Sequence, residues 1–471
     1  MTGLASGVLP GADDTIVATA TPNGRGALAI VRLSGSRAHD IGRTLLARWP
    51  ARPRESVLTE VHDGTGTPLD QVVAVRYDAP ASFTGEHSLE LSTHGGLLVP
   101  ASIVAAIIGQ GARLAEPGEF TRRALLNGKL DILQAEATAD LIAAQTRAAQ
   151  HVALQQLDGG LSRRVDALRD KLVGLEALIA YDIDFPEEDD GPVAPARVQS
   201  ALDEVEQGLR GLLATARGGE LVREGALVVL AGLPNVGKSS LFNTLLGRNR
   251  AIVTPVPGTT RDALEAVVEA EPWPVRLVDT AGLRETDDAV ERLGIEVSES
   301  YLRSAAIVLC CGDDLASLRR AAEAIRALGG EGGQPSQLLL VRTKSDLRRL
   351  EPAQLADLSR ELDAAAALDV SAESGVGIQQ LLTTISDVLT NQVGGLELDA
   401  PMLTQARHER AVSYALGELA LFRDAWREGA LPVTIAAVHL HAAGEALRDL
   451  IGGIDTEQIL DEVFRRFCVG K

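Results

Sequence analysis

Gly232-Leu-Pro-Asn-Val-Gly-Lys-Ser239 is the stretch whose reading decides the fold. It meets the G-x-x-x-x-G-K-[ST] phosphate-loop pattern at every fixed position. Ala226-Leu-Val-Val-Leu-Ala231 before it is a short apolar run that reads as a buried parallel strand. Ser239-Ser-Leu-Phe-Asn-Thr-Leu-Leu246 after it reads as a helix, with Gly247 as its C-terminal cap. In a strand–loop–helix turn of this kind the glycines let the backbone wrap a phosphate chain. Successive N–H groups and the helix N-terminus then point at the anion. Asn235, Val236, Gly237, Lys238, Ser239 and Ser240 are the loop residues expected to meet a nucleotide. Lys238 is expected at the outer phosphates, where it also serves catalysis, and the Ser239 hydroxyl is expected to ligate Mg²⁺.

Further stretches narrow the nucleotide. Val275-Arg-Leu-Val-Asp279 is a strand ending in a carboxylate, followed by Thr280, Ala281 and Gly282. Asp279 suits the Mg²⁺ shell and the Gly282 N–H suits a γ-phosphate. Gln337 to Arg342 is another strand, ending in Thr343-Lys344-Ser-Asp346. A carboxylate at Asp346 can accept hydrogen bonds from the guanine N1–H and exocyclic amine, which adenine does not offer. A missing partner would leave a buried polar group unpaired, so discrimination is strong. Asp369-Val-Ser371-Ala372 supplies a loop that can close over the base. Between the phosphate loop and Asp279 lies Thr254-Pro-Val-Pro-Gly-Thr259-Thr260, where a threonine, Thr260, can complete the Mg²⁺ shell. In this order the motifs read as a GTPase domain with GTP as substrate. The departure is Thr343, where most GTPases carry Asn.

At 471 residues the chain has room for several domains, and its net charge of −20 argues against indiscriminate nucleic-acid binding while leaving room for a local basic patch. Three cysteines without paired spacing argue against a disulfide framework and a zinc site. Cys310 and Cys311 lie in an apolar strand and read as core. The start lacks a charged n-region and no stretch approaches a transmembrane span, so a soluble, cytoplasmic protein with no membrane partner is expected. Residues 1–118 read as β-rich with some helix: strand, turn, strand over Asp14–Arg32, a strand at Ser88–Ser92 and an apolar helix from about Leu98 to Gly109. From spacing alone, Arg32 and Glu90 read as surface charges on strands. Helical periodicity runs over Phe120–Arg147, about Ala149–Ile183 and about Pro195–Gly218. It returns in Thr404–Gly429, Val433–Leu450 and Thr456–Phe467. The expected architecture is multidomain α+β and α/β. An N-terminal α+β domain (1–118) precedes a discontinuous helical domain (119–220 and 393–471). A Ras-like P-loop GTPase domain with a doubly wound sheet (221–392) is inserted between the two helical segments.

The sequence resembles, along its entire length, the MnmE (TrmE) tRNA modification GTPases, a group of TrmE-Era-like GTPases. The resemblance rests on Asp14-Thr-Ile-Val, Pro22-Asn-Gly-Arg-Gly26, Ser82-Phe-Thr-Gly-Glu86 and His94-Gly-Gly96. It continues through Pro117-Gly-Glu-Phe-Thr-Arg-Arg-Ala124, Leu126-Asn-Gly-Lys-Leu-Asp131, Gln134-Ala-Glu-Ala137, the GTPase motifs and the terminal Phe467-Cys-Val-Gly-Lys471. Departures are Thr343 and Thr93. The resemblance implies a homodimer whose N-terminal domains bind a tetrahydrofolate derivative, 5-formyl or 5,10-methylene. It implies action with the flavoprotein MnmG (GidA), in a heterotetramer or larger complex, on the wobble uridine of tRNA. Arg32, Glu90, Lys129 and Lys471 match the family's folate-contacting positions. Cys468 matches its C-terminal cysteine, a candidate functional thiol, and a packed terminal residue is the equal alternative.

The resemblance also speaks to hydrolysis. Leu283 follows Gly282, so no glutamine is placed to orient water, and no arginine finger can be identified. Asn235 matches the family's K⁺ ligand, with Thr254, Val256 and Thr259 completing that site on dimerisation of two GTPase domains. Among Glu285, Asp287, Asp288, Glu291 and Glu296, spacing does not choose a residue to position water; family matching selects Glu291. A regulatory GTPase, such as a ribosome-assembly factor, would carry the same phosphate-loop motif. The segments outside the GTPase domain discriminate against it.

Overall fold

The computed structural model describes residues 14–22, 24–184, 194–248, 265–279, 300–328, 337–395, 397–428, 433–452 and 470. Two compact units divide the chain, one of residues 1–139 with 449–471 and one of 140–448.

The first unit is built on a six-stranded sheet. Its strands are β1 (Ile16–Thr19), β2 (Leu28–Ser34), β3 (Val57–His62), β4 (Pro68–Tyr77), β5 (Ser88–His94) and β6 (Arg113–Leu114), in the order β3-β4-β5-β2-β1-β6. All neighbours are antiparallel except β1 and β6. Alternation assigns the faces. Val31, Leu33, Leu89 and Leu91 point to one side, where Ile41 and Leu45 of helix Ala38–Leu45 and Ile103 and Ile107 of helix Leu98–Gly109 close a core. Arg32 and Glu90 therefore point to the other side, and the β2–β5 register sets them directly opposite each other. On that side Phe120 of helix Glu119–Leu126 is fully buried with Ile16, Ala18 and Ala115.

That packing explains a difference from the expected boundary at 118/119. Helix Glu119–Leu126 is tied to the sheet by Phe120 and by Arg123, which donates to the Asp14 carbonyl at 2.7 Å. The first unit accordingly runs to residue 139. The single helical pattern over 120–147 is also interrupted. Asn127 to Asp131 separates Glu119–Leu126 from helix Ile132–Ala143.

The second unit holds another six-stranded sheet: β7 (Ala226–Gly232), β8 (Glu265–Ala270), β9 (Trp273–Asp279), β10 (Ile307–Gly312), β11 (Gln337–Arg342) and β12 (Ala366–Asp369). The order is β12-β11-β10-β7-β9-β8, parallel apart from β8 against β9. Helices Lys238–Arg248 and Ile378–Val393 cover one face through Leu241, Leu245, Leu381 and Ile385. Helices Leu315–Leu328 and Pro352–Glu361 cover the other through Leu318, Ala322, Leu355 and Leu358. Cys310 and Cys311 enter opposite cores, as adjacent strand residues must, and burial pushes the Cys310 thiol up to about 12. Both are inert packing residues.

The helical segments of this unit are Arg147–Leu157, Gly160–Asp184, Pro195–Ala214, Ala216–Glu224, Ala406–Glu428 and, up to residue 448, Val433–Ile451. The pattern over 149–183 is thus two helices, broken at Asp158-Gly159. The second helix begins at Gly160, while Thr146 caps the first by accepting from the Ala149 N–H. Leu221, Val222, Val152 and Met402 from the helical segments share a core with β7 and β9, so helical and nucleotide-type segments form one compact unit. The expected helix at 456–467 lies outside the described residues. Among the described residues no helix is long and apolar enough to cross a membrane.

Candidate functional site

The parallel strands bring their C-terminal ends level. Register sets Leu230 beside Asp279, Gly232 beside Cys311, Gly312 beside Arg342, and Arg342 beside Asp369. Every nucleotide motif that the structure describes therefore leaves the same edge of the sheet, where open α/β sheets hold ligands. The phosphate loop leaves β7 at Gly232, whose φ is +154° and where a Cβ would meet the Cys311 carbonyl oxygen at 2.2 Å. Gly237, at φ +99°, turns the chain into helix Lys238–Arg248. Asn235 takes a left-handed φ of +61° between them, which asparagine tolerates.

Lys238 is buried at 5% exposure and its ammonium donates to the carbonyls of Gly232 at 3.1 Å and Leu233 at 2.9 Å. The charge is thereby held across the inside of the loop. Ser239 is exposed and donates to Asp279 Oδ2 at 2.8 Å. Those two oxygens are spaced as adjacent ligands of an octahedral Mg²⁺ would be, about 2.9 Å for bonds of ~2.05 Å. A hydroxyl and a carboxylate are also the donor types that a hard cation takes, so these residues fit it.

The loop that follows β11 is bolted to the phosphate loop. Thr343, buried, donates to the Val236 carbonyl, with the Gly312 carbonyl also 3.1 Å from its hydroxyl. Lys344 Nζ donates to the Asn235 carbonyl at 2.7 Å. Asp346 is exposed, two residues beyond. Ser371 is fully buried and its hydroxyl accepts from the Ser374 N–H at 3.1 Å, while the Ala372 carbonyl accepts from Thr244 at 3.3 Å. Arg342, at 2% exposure, grips Asp369 with two guanidinium nitrogens and ties the ends of β11 and β12 together.

A second polar site lies on the first unit's sheet. Arg32 donates to Glu90 Oε1 from Nε at 2.9 Å and from a terminal nitrogen at 2.8 Å. Tyr77 donates to Glu90 Oε2 at 3.4 Å, and burial and then the Glu90 charge push its phenol up. The Arg32 guanidinium sits 5.3 Å from the Phe83 ring centre and 5.7 Å from that of Phe120. Lys129 is exposed, with Nζ 3.3 Å from the Pro80 carbonyl. Gly470 is buried and close-packed: a Cβ there would meet the Thr19 carbonyl oxygen at 2.3 Å.

The comparisons bear on both sites. A model described as the MnmE helical domain matches residues 132–468, and one described as the GTP-binding protein TrmE N-terminus matches residues 15–129. The tRNA modification GTPase MnmE of Aquifex aeolicus (strain VF5) is 40% identical over 460 residues, covering 97% of this chain and 100% of that protein. The chain belongs to the MnmE family of tRNA modification GTPases. The MnmE protein of Azoarcus sp. (strain BH72) is 41% identical over 98% of this chain and 99% of its own length. That of Streptococcus pyogenes serotype M4 (strain MGAS10750) is 37% identical over 97% and 98%.

Several expected MnmE-family site residues lie outside the described residues: Thr254, Val256, Thr259, Thr260, Thr280, Ala281, Gly282, Glu291, Cys468 and Lys471. The phosphate-loop residues, Asp279, Thr343, Lys344, Asp346, Ser371 and Ala372 gather at one sheet edge, and Arg32 and Glu90 meet on the other sheet. Sequence reasoning gave no site role to Thr244, Tyr77, Phe83 or Phe120. Thr244 sits one turn beyond Ser240 on the same helix, a spacing that carries a signal. Tyr77 and Phe83 come from the end of a strand and from a loop, and only the fold brings them to Arg32.

Proposed function

We propose that this chain is the GTP-hydrolysing subunit of a complex that modifies C5 of the wobble uridine (U34) of tRNA. It adds an aminomethyl-type group, such as carboxymethylaminomethyl, drawing the one-carbon unit from a tetrahydrofolate derivative. It acts as a homodimer with a flavoprotein of the MnmG (GidA) type. The observation that carries this reading is the coexistence, in one chain, of a phosphate-loop site with a guanine-type T-K-x-D loop and of the Arg32–Glu90 site.

At the nucleotide site each residue has a role in keeping with its surroundings. Lys238 exchanges its loop carbonyls for phosphate oxygens and holds the outer phosphates. Ser239 and Asp279, with Thr260, would hold Mg²⁺, which would supply positive charge to offset that of the phosphates. Asn235, Thr254, Val256 and Thr259 are the ligands for K⁺, and hydrolysis depends on that cation when two GTPase domains meet. Glu291 orients the attacking water. Asp346 accepts from guanine. Thr343 braces the phosphate loop against the base-reading loop, because its single hydroxyl proton is spent on a backbone carbonyl.

At the second site Glu90 accepts from the pterin edge while Arg32 fixes the carboxylate, and Lys129 and Lys471 meet the glutamate tail. Gly470, the residue before Lys471, packs at the end of β1. Cys468, two residues earlier, is the candidate thiol. The test is mass spectrometry of wobble-position nucleosides in tRNA from cells lacking this chain. The proposal expects C5-unmodified uridine there, restored by the wild-type gene. An unchanged nucleoside profile accompanied by a ribosome-subunit defect would instead favour an assembly GTPase.

A further inference from the structure

A cluster of ligating side chains in the first unit belongs to neither site above. One nitrogen of His39, one carboxylate oxygen of Asp78 and one nitrogen of His87 lie within 4.8 Å of one another. They come from three places: helix Ala38–Leu45, the residue after β4 and the residue before β5. His39 is buried at 8% exposure. Its Nε2 is 3.1 Å from the Tyr77 carbonyl oxygen, and because a carbonyl only accepts, that nitrogen carries the proton. With Nε2 committed to that carbonyl, the neutral tautomer presents its lone pair at Nδ1.

That lone pair faces Asp78 Oδ1 at 3.9 Å. Two acceptors then confront each other with no proton between them, at a distance too long for a hydrogen bond. Around a tetrahedral Zn²⁺ with bonds of about 2.0–2.1 Å, neighbouring ligand atoms are separated by about 3.4 Å. The His39–Asp78 gap therefore needs to contract by about half an ångström, and no gap in the cluster exceeds 4.8 Å. The His87 ring centre is 4.5 Å from that of His39, and its Nδ1 accepts only a long 3.3 Å bond from the Ala79 N–H. The outer partners also have the right kind. Ligating histidines usually donate their second N–H to a carbonyl, and ligating carboxylates are themselves hydrogen-bonded. Here the Tyr77 carbonyl takes the His39 N–H, and Arg76 donates to Asp78 at 2.5 Å.

We propose that His39, Asp78 and His87 form a three-ligand site for a first-row divalent cation of the Zn²⁺ type, with a fourth position left to water. Two imidazoles select such a cation over Mg²⁺ or Ca²⁺, which take oxygen ligands. The site is structural. It pins helix Ala38–Leu45 to the segment that carries Tyr77, which reaches Glu90, and Pro80, whose carbonyl meets Lys129. The cation thereby stiffens one wall of the Arg32–Glu90 site.

The experiment is calorimetric titration of the chelator-stripped, full-length chain with Zn²⁺, in excess Mg²⁺ so that the oxygen ligands at Ser239 and Asp279 are not counted. One Zn²⁺ per chain is expected, and none of that affinity in H39A/H87A. Losing an outer-shell partner alone weakens metal sites by about 10–100-fold, so the single variant His87→Gln should bind at least about tenfold more weakly. If the double variant does not fold by circular dichroism, His87→Gln, at a half-exposed position, decides alone. Co²⁺ in the wild-type chain should give the intense visible absorption of a four-coordinate ion. Equal Zn²⁺ affinity in wild type and His87→Gln, or the weak absorption of six-coordinate Co²⁺, would overturn the site.

Discussion

Asp346 and Glu119 show how differently single carboxylates function in this chain. Asp346 is exposed beside a braced loop, and among the described residues no cation pairs with it. Asp346→Asn should weaken GTP binding by about 1–3 kcal/mol, the scale of a charge-assisted hydrogen bond, while xanthosine triphosphate gains relative to GTP. Competition binding with the two nucleotides measures it, and ATP competing equally with GTP for the wild-type chain would refute the base assignment. Glu119 is the opposite case. It is buried between Arg113 at 2.6 Å and Arg123 at 2.9 Å. Burial acts to raise its pKa, but the hydrogen bonds from Arg113, the Glu116 N–H and Arg123 outweigh that and hold it below the ordinary value. A depressed carboxylate binds fewer protons folded than unfolded. Its stabilisation is therefore complete above the unfolded pKa of about 4.3 and is lost as pH falls through the lower folded value. Glu119→Gln should destabilise the first unit by about 3 kcal/mol at pH 7, with the difference from wild type shrinking in acid. Hydrogen exchange of residues 14–139 across that range is the readout. The fixed spacing of the phosphate loop made Lys238 and Ser239 legible from sequence. The partner of Glu90 was not, because Arg32 and Glu90 are 58 positions apart and meet only through strand register.

At the scale of elements, periodicity placed the strands well and the helix breaks less well. The strands around Ile16–Thr19, Leu28–Ser34 and Ser88–His94 and the helix Leu98–Gly109 follow the alternation and apolar runs that the sequence displays. The breaks at Asn127–Asp131 and Asp158-Gly159 were missed because apolar spacing continues through them, and a turn needs only a residue or two to change direction. The expected edge between 118 and 119 differs from the edge of the compact unit for a related reason. Helical pattern says that a helix exists, not which core its apolar face enters, and Phe120 enters the sheet. The β2–β5 pair is the element that builds the second site, so its test belongs here. Arg32→Ala removes the cation that orients Glu90 and should weaken 5-formyltetrahydrofolate binding by about 1–3 kcal/mol, while GTP hydrolysis stays at the wild-type rate. Calorimetry beside a GTPase assay separates the two. Unchanged folate affinity would remove Arg32 from the site.

For the whole molecule, the phosphate loop lies in the unit 140–448 and the Arg32–Glu90 pair in the unit 1–139 with 449–471. The family models and full-length relatives span both units, so the chain is matched as a whole and not through its GTPase portion alone. In the proposed function, tRNA modification uses GTP hydrolysis at the phosphate loop. The most direct measurement is wobble-uridine mass spectrometry in cells lacking the chain and supplied with Ser239→Ala. That variant removes the hydroxyl that meets Asp279 and leaves the first unit untouched. It should accumulate to wild-type levels and bind 5-formyltetrahydrofolate normally, yet leave U34 without its C5 group. Full restoration of the modified nucleoside by a Ser239→Ala chain that no longer hydrolyses GTP would contradict the account.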